Sequence, residues 1–162
     1  MIKDSIWGSI SALLITYNFE DEEALKAFRK GLDAALNESG VKRVIIIVSI
    51  PKDIDKNSLS PHFLIYYNGP SDYSFFGGLK DHQLETELKQ SFDALLCFGV
   101  MKKNLKNALR QTVIQKKILV NSELTHDNTY DLELNSASDA PSEVIHFVVE
   151  TLKKINAHEP QI

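Results

Sequence analysis

Two hydrophobic periods alternate along this chain, and their alternation predicts its elements. Ile10 to Thr16 is a short apolar run bounded by Gly8 and by Asn18 with its acidic followers, the pattern of a buried strand. Asn18 or Asp21 can cap the next helix, with Glu20, Glu22 and Glu23 about its first turn, where a helix N-terminus favours negative charge. Leu25, Phe28, Leu32, Ala35 and Leu36 recur at helical spacing, and Gly40 is expected to end that helix. Val41 to Ile50 is the strongest strand signal: Val44 to Val48 are apolar without interruption, so the strand belongs inside a sheet with a neighbour on each side and both faces covered.

The second half repeats the alternation. Residues 52–61 are polar and turn-forming, and Phe63 to Tyr67 is a short strand, expected at a sheet edge and antiparallel to its neighbour. Tyr73 to Leu79 is an aromatic, Gly-rich loop, expected to fold its Phe rings onto the core while Gly77 and Gly78 turn the chain; its other use is as a stacking wall for a flat ligand. A helix follows from Asp81 to Gln90, then a fourth strand from Phe92 to Phe98. Next come an amphipathic helix from Asn104 to about Gln115, a fifth strand from Lys117 to Asn121 and an alternating edge strand from Thr129 to Leu134. Asp139 and Pro141 open a last helix with Ile145, Val148, Val149, Leu152 and Ile155 inward. The sum is a single α/β domain over residues 1–162: a three-layer Rossmann-like open sheet of about six mostly parallel strands in the order 3-2-1-4-5-6, with one antiparallel edge strand.

Composition narrows the class further. The 162 residues are 43% hydrophobic and 25% charged with a formal charge of −4, the proportions of a globular domain. The longest wholly apolar run, Val44 to Val48, is far short of the roughly 20 residues of a bilayer span. Met1 to Tyr17 has no small-residue cleavage site and is not read as an export signal. The lone Cys97 cannot form an internal disulfide, so a reducing, cytoplasmic setting is expected.

The candidate chemistry is sparse. A dinucleotide site needs a Gly-rich turn after the first strand, and here that turn reads Tyr17 to Glu23 with no Gly and four carboxylates, which repel phosphate. There is no Walker-type Gly-Lys-Ser/Thr sequence, and the five His show no metal-ligand spacing, so no cofactor or metal is expected. Cys97 reads as a buried small hydrophobe, Ser9, Ser11 and Ser49 lack the context of a nucleophile, and no acid pair stands out for catalysis. One anomaly is local. From Ala94 to Ser122 there are six basic residues and no acidic one, leaving −10 for the rest of the chain. Gly99, Lys102, Lys103, Asn104 and Lys106 fall at the exit of the fourth strand, where α/β sheets bind ligands, and are the candidate residues for a phosphate or carboxylate. The competing reading is a solvated basic face.

Phe75-Phe76-Gly77, Phe92-Asp93-Ala94-Leu95-Leu96, the turn from Lys117 to Asn121 and Tyr130-Asp131-Leu132 together resemble an uncharacterised bacterial domain family of unknown function. In that family a basic residue tends to follow the loop glycine where this chain has Gly78, and a glycine tends to follow the fifth strand where this chain has Asn121, a residue that tolerates positive φ. More distantly, Phe92 to Asn121 is similar to part of the Rossmann-like N-terminal half of heptosyltransferase-type glycosyltransferases. The resemblance implies the fold and assigns no residue a role. Two functions are therefore expected. The first is a non-catalytic module that oligomerises or binds a protein through an edge strand. The second is a binder or weak processor of a small anion at the fourth-strand exit. Neither nucleic acid nor membrane is expected as a partner.

Overall fold

The computed structural model describes residues 4–121 and 129–158. One six-stranded sheet runs through it, built from β1 (Ala12–Asn18), β2 (Arg43–Ser49), β3 (Ile65–Asn68), β4 (Phe92–Phe98), β5 (Ile114–Val120) and β6 (Leu132–Leu134) in the order β3-β2-β1-β4-β5-β6. The expected order and Rossmann-like three-layer class are therefore the ones observed. β2 lies between β1 and β3 as its uninterrupted apolar run requires, and Ile46 is 2% exposed.

Among the described residues four helices cover the sheet. α1 (Glu22–Asn37) and α4 (Pro141–Lys154) pack on one face through Phe28, Leu32, Val148 and Leu152, against Leu13, Ile15, Ile46, Val48 and Leu96. α2 (His82–Leu88) and α3 (Lys103–Ala108) cover the other through Leu84, Leu88 and Leu105, against Leu14, Ile45, Ile47, Leu95 and Leu119. Consecutive strand residues thus alternate between two cores. The Asp21 carboxylate accepts from the Ala24 N–H at 2.7 Å, so Asp21, not Asn18, caps α1.

Five expectations change. β3 is parallel to β2, not antiparallel: residues 50–64, with a single 3-10 turn at Lys56–Ser58, carry the chain back along the sheet, the crossover a parallel pair needs. Phe63 precedes that strand and lies in solvent, 86% exposed. The helix after β4 ends at Ala108 and a 3-10 turn, because the β-branched run Thr112-Val113-Ile114 enters the sheet, where Val113 C=O accepts from Phe92 N–H at 2.9 Å. Gly40 is not the left-handed cap of α1, which closes at Glu38. Asp139 does not cap α4 either; Ala140 occupies that position and no side chain caps it.

One feature escaped the pattern altogether. Ser5 and Asn156 form an antiparallel bridge, with Ile6 N–H donating to Ile155 C=O and Ala157 N–H to Asp4 C=O, both at 2.8 Å. This clamp buries Ile6 and Trp7. No helix among the described residues is long and apolar enough to cross a membrane.

Candidate functional site

The winding of the sheet reverses between β1 and β4, and a crevice of about 450 Å³ opens at the carboxyl ends of β1, β4 and β5, the place where open α/β sheets bind ligands. Its polar rim is Asn18, Glu20, Gly99, Asn121 and Asp139. Tyr17, Phe28 and Phe98 form its floor, with ring centroids 4.3 Å apart for Tyr17 and Phe28 and 5.0 Å for Phe28 and Phe98. Burial, then Glu20 and Asp21, push the Tyr17 hydroxyl up to about 12.

Special backbone builds the rim. Gly99 (φ 82°) and Asn121 (φ 52°) both adopt the left-handed conformation at their strand ends. Asn18 Nδ2 donates to Val100 C=O at 2.9 Å, bracing the β1 exit against the β4 exit, and a Cβ on Gly99 would come within 3.1 Å of that amide. Asn121 Oδ1 accepts from Ser136 N–H at 2.6 Å, tying the β5 exit to the approach of α4.

Of the residues singled out by sequence, only Gly99 lines this crevice. Lys102, Lys103, Asn104 and Lys106 are exposed along α3, whose six residues form less than two turns. Lys106 instead shares a cavity of about 190 Å³ with Arg110 and Lys117, floored by Leu95, Met101 and Ile114. The residues that sequence reading missed, Glu20 and Asp139, each stand just before a helix that follows a strand exit. That position was visible in the sequence, but their convergence needs the strand order.

Cys97 is buried, its thiol donating to Gly99 C=O at 3.3 Å. Among the described residues no three His, Cys, Asp or Glu side chains gather as metal ligands; His126 lies outside the described residues.

A second region takes shape at the β3 edge. Ile46 N–H donates to Leu64 C=O and Ile50 N–H to Asn68 C=O, so alternate residues turn their backbone groups toward β2 and those of Ile65 and Tyr67 face outward. Ile65 N–H is taken by His62 C=O at 3.0 Å, which leaves Ile65 C=O and both groups of Tyr67 without a partner among the described residues. A groove of about 530 Å³ touches Ile65, Tyr66 and Tyr67 in succession. Since neighbouring strand residues point to opposite faces, it lies along the edge itself.

The loop beyond β3 is firmly built. Asp72 accepts from Lys56 Nζ and from Gly69 N–H, and the Tyr73 hydroxyl donates to Asn68 Oδ1 at 2.7 Å. Gly77 N–H donates to Ser74 C=O at 2.9 Å, closing a turn whose central residues are Phe75 and Phe76. Their rings are 98% and 93% exposed and meet edge to face, which overturns the expectation that they join the core. The central positions of a tight turn project away from the chain, whatever side chains they carry.

Compared with family models, curated proteins and solved structures, the chain matches none of them.

Proposed function

We propose that this protein is a non-catalytic module that associates with a second copy of itself across β3. The observation that carries this reading is the open β3 edge with its groove, lined by the exposed Phe63. An antiparallel meeting about a two-fold axis at Tyr66 brings the Tyr67 N–H of each copy to the Ile65 C=O of the other. Self-complementarity favours a second copy as occupant, because one edge supplies both the donor and the acceptor that its symmetry mate needs. The buried Cys97, outside any disulfide among the described residues, suits a reducing, cytoplasmic setting.

Sedimentation of the wild-type chain should show a dimer that Phe63→Asp weakens about tenfold or more while the circular dichroism spectrum stays unchanged. A wild-type monomer at the highest attainable concentration refutes the reading. A second reading, the small anion, is favoured by one observation: Lys106, Arg110 and Lys117 line a single cavity. Inorganic phosphate should then raise the melting temperature of the wild type and not of Lys106→Ala with Arg110→Ala, and the rise should shrink with salt.

A further inference from the structure

We propose that the α2/α3 face seats on an anionic lipid bilayer, with Phe75 and Phe76 entering the headgroup region and neighbouring cations meeting the lipid charge. The turn that carries the rings is held in place. Ser74 N–H donates to Gly78 C=O at 2.7 Å, Gly78 N–H donates to Ser74 Oγ at 3.0 Å, and Tyr73 and Leu79 pair on either side. Tyr73 is buried and Leu79 packs on the α2/α3 core, so the stem is anchored in the domain. The two rings at the tip therefore stand out as a fixed wedge, and adjacent apolar rings in water mark a surface that something covers.

Charge names the cover. Gly77 and Gly78 line one cavity of about 480 Å³ with Lys89 and Arg110, which places the ring-bearing turn beside cations from the end of α2 and from the turn after α3. Glu85 lines it too, but lies 4.0 Å from Lys89. Arg110 also borders the smaller cavity with Lys106 and Lys117, so the positive surface continues along α3. Residues 73–120 hold eight basic and four acidic side chains, a charge of +4 that leaves −8 for the rest of the −4 chain. The acidic stretch 20–38, with six acidic and three basic residues, belongs to α1 and its approach, on the opposite face of the sheet. The wedge thus points where the positive charge is, and the negative charge lies behind it.

A bilayer suits this shape better than a protein does. A protein partner must offer a recess cut to both rings, whereas the headgroup region yields around a protruding apolar group of any outline. The cytoplasmic leaflet, in the setting proposed for this chain, is anionic and attracts basic surfaces over about a Debye length. The contact needs no membrane-crossing helix, and it replaces the expectation that no membrane takes part. Two rings and a few cations make it reversible and salt-sensitive.

The test floats the full chain with vesicles of phosphatidylcholine alone and of phosphatidylcholine mixed with phosphatidylserine. The wild type should bind the mixed vesicles about tenfold or more tightly than the neutral ones, and high salt should abolish the difference. Phe75→Ser with Phe76→Ser should weaken binding to the mixed vesicles about tenfold or more while the melting temperature stays unchanged, since both rings lie in solvent. Lys89→Gln with Arg110→Gln should weaken it about tenfold. Phe76→Trp should keep the binding, and brominated lipid should quench the new indole. Failure of the wild type to float with the mixed vesicles overturns the proposal, as does binding that survives the loss of both rings. Capture by soluble polyglutamate with the vesicles ignored also overturns it, and assigns the face to an acidic protein.

Discussion

Two long helices, α1 of 16 residues and α4 of 14, cover one face of the sheet, while α2 of 7 and α3 of 6 cover the other. The long pair spans the strands from end to end, and its residues wall the strand-exit crevice through Phe28, Pro141 and Val144. The short pair leaves turns to complete its face, and there the basic cavity lies between α3 and β5. A continuous helical layer fixes a pocket of definite shape, whereas a short one leaves turns whose side chains belong to solvent or to a partner.

Adjacent residues of one strand separate the two faces. Ile46 points to the α1/α4 core and Ile47 to the α2/α3 core. Truncation of either should cost about 2–5 kcal/mol, with Ile46→Ala in the upper part of that range and Ile47→Ala in the lower, because short helices move more readily into a cavity. Urea unfolding measures both, and an Ile47→Ala loss equal to or above that of Ile46→Ala breaks the comparison.

Alkaline pH probes the long-helix face through Tyr17. Its folded value of about 12 lies above the unfolded 10, so its contribution is complete below pH 10 and disappears as pH rises through 12. Stability of the wild type should therefore fall across this window more steeply than that of Tyr17→Phe. Parallel curves would show that Tyr17 is not held neutral by its surroundings.

The smallest effect concerns how the long helices meet. A Cβ on Gly31 of α1 would stand 3.1 Å from the Ser142 Cα of α4, a backbone atom that cannot step aside alone. Overpacking of about 1–3 kcal/mol competes with the 0.5–1 kcal/mol that Ala gains over Gly inside a helix, so Gly31→Ala should destabilise by about 1 kcal/mol. A rise in melting temperature would show that α1 and α4 separate without cost.

Strand order was legible because β2 announces itself: five consecutive apolar residues leave no polar face, and the strands on either side then fall into place. The direction of β3 was not legible, since residues 50–64 carry almost no regular structure and the sequence shows no helix to mark a crossover. α3 was overextended because Thr112 and Val113 fit a helical stripe as well as they fit the entry to β5; pairing with Phe92 decided between the two. The Gly99 turn was found correctly as a strand exit. The lysines after it were grouped with it by sequence proximity, yet a turn with φ of 82° sends the chain onward along α3, away from the crevice. Glu20 and Asp139 lie far apart in the chain, and only the parallel sheet brings both to one end.

The bridge between Ser5 and Asn156 bears on how the molecule is made. During synthesis β1 emerges first, yet it is the centre of the sheet, and its second neighbour β4 follows only after α1, β2, β3 and α2. The three strands β1, β2 and β3 can assemble on the nascent chain with α1 over them, leaving the opposite edge of β1 open. Closure waits for the last helix, because Ile6 gains its backbone partner only from Ile155. Such distant pairings make folding slow and late, and the completed fold is reached only after α4 and Ile155 have left the ribosome.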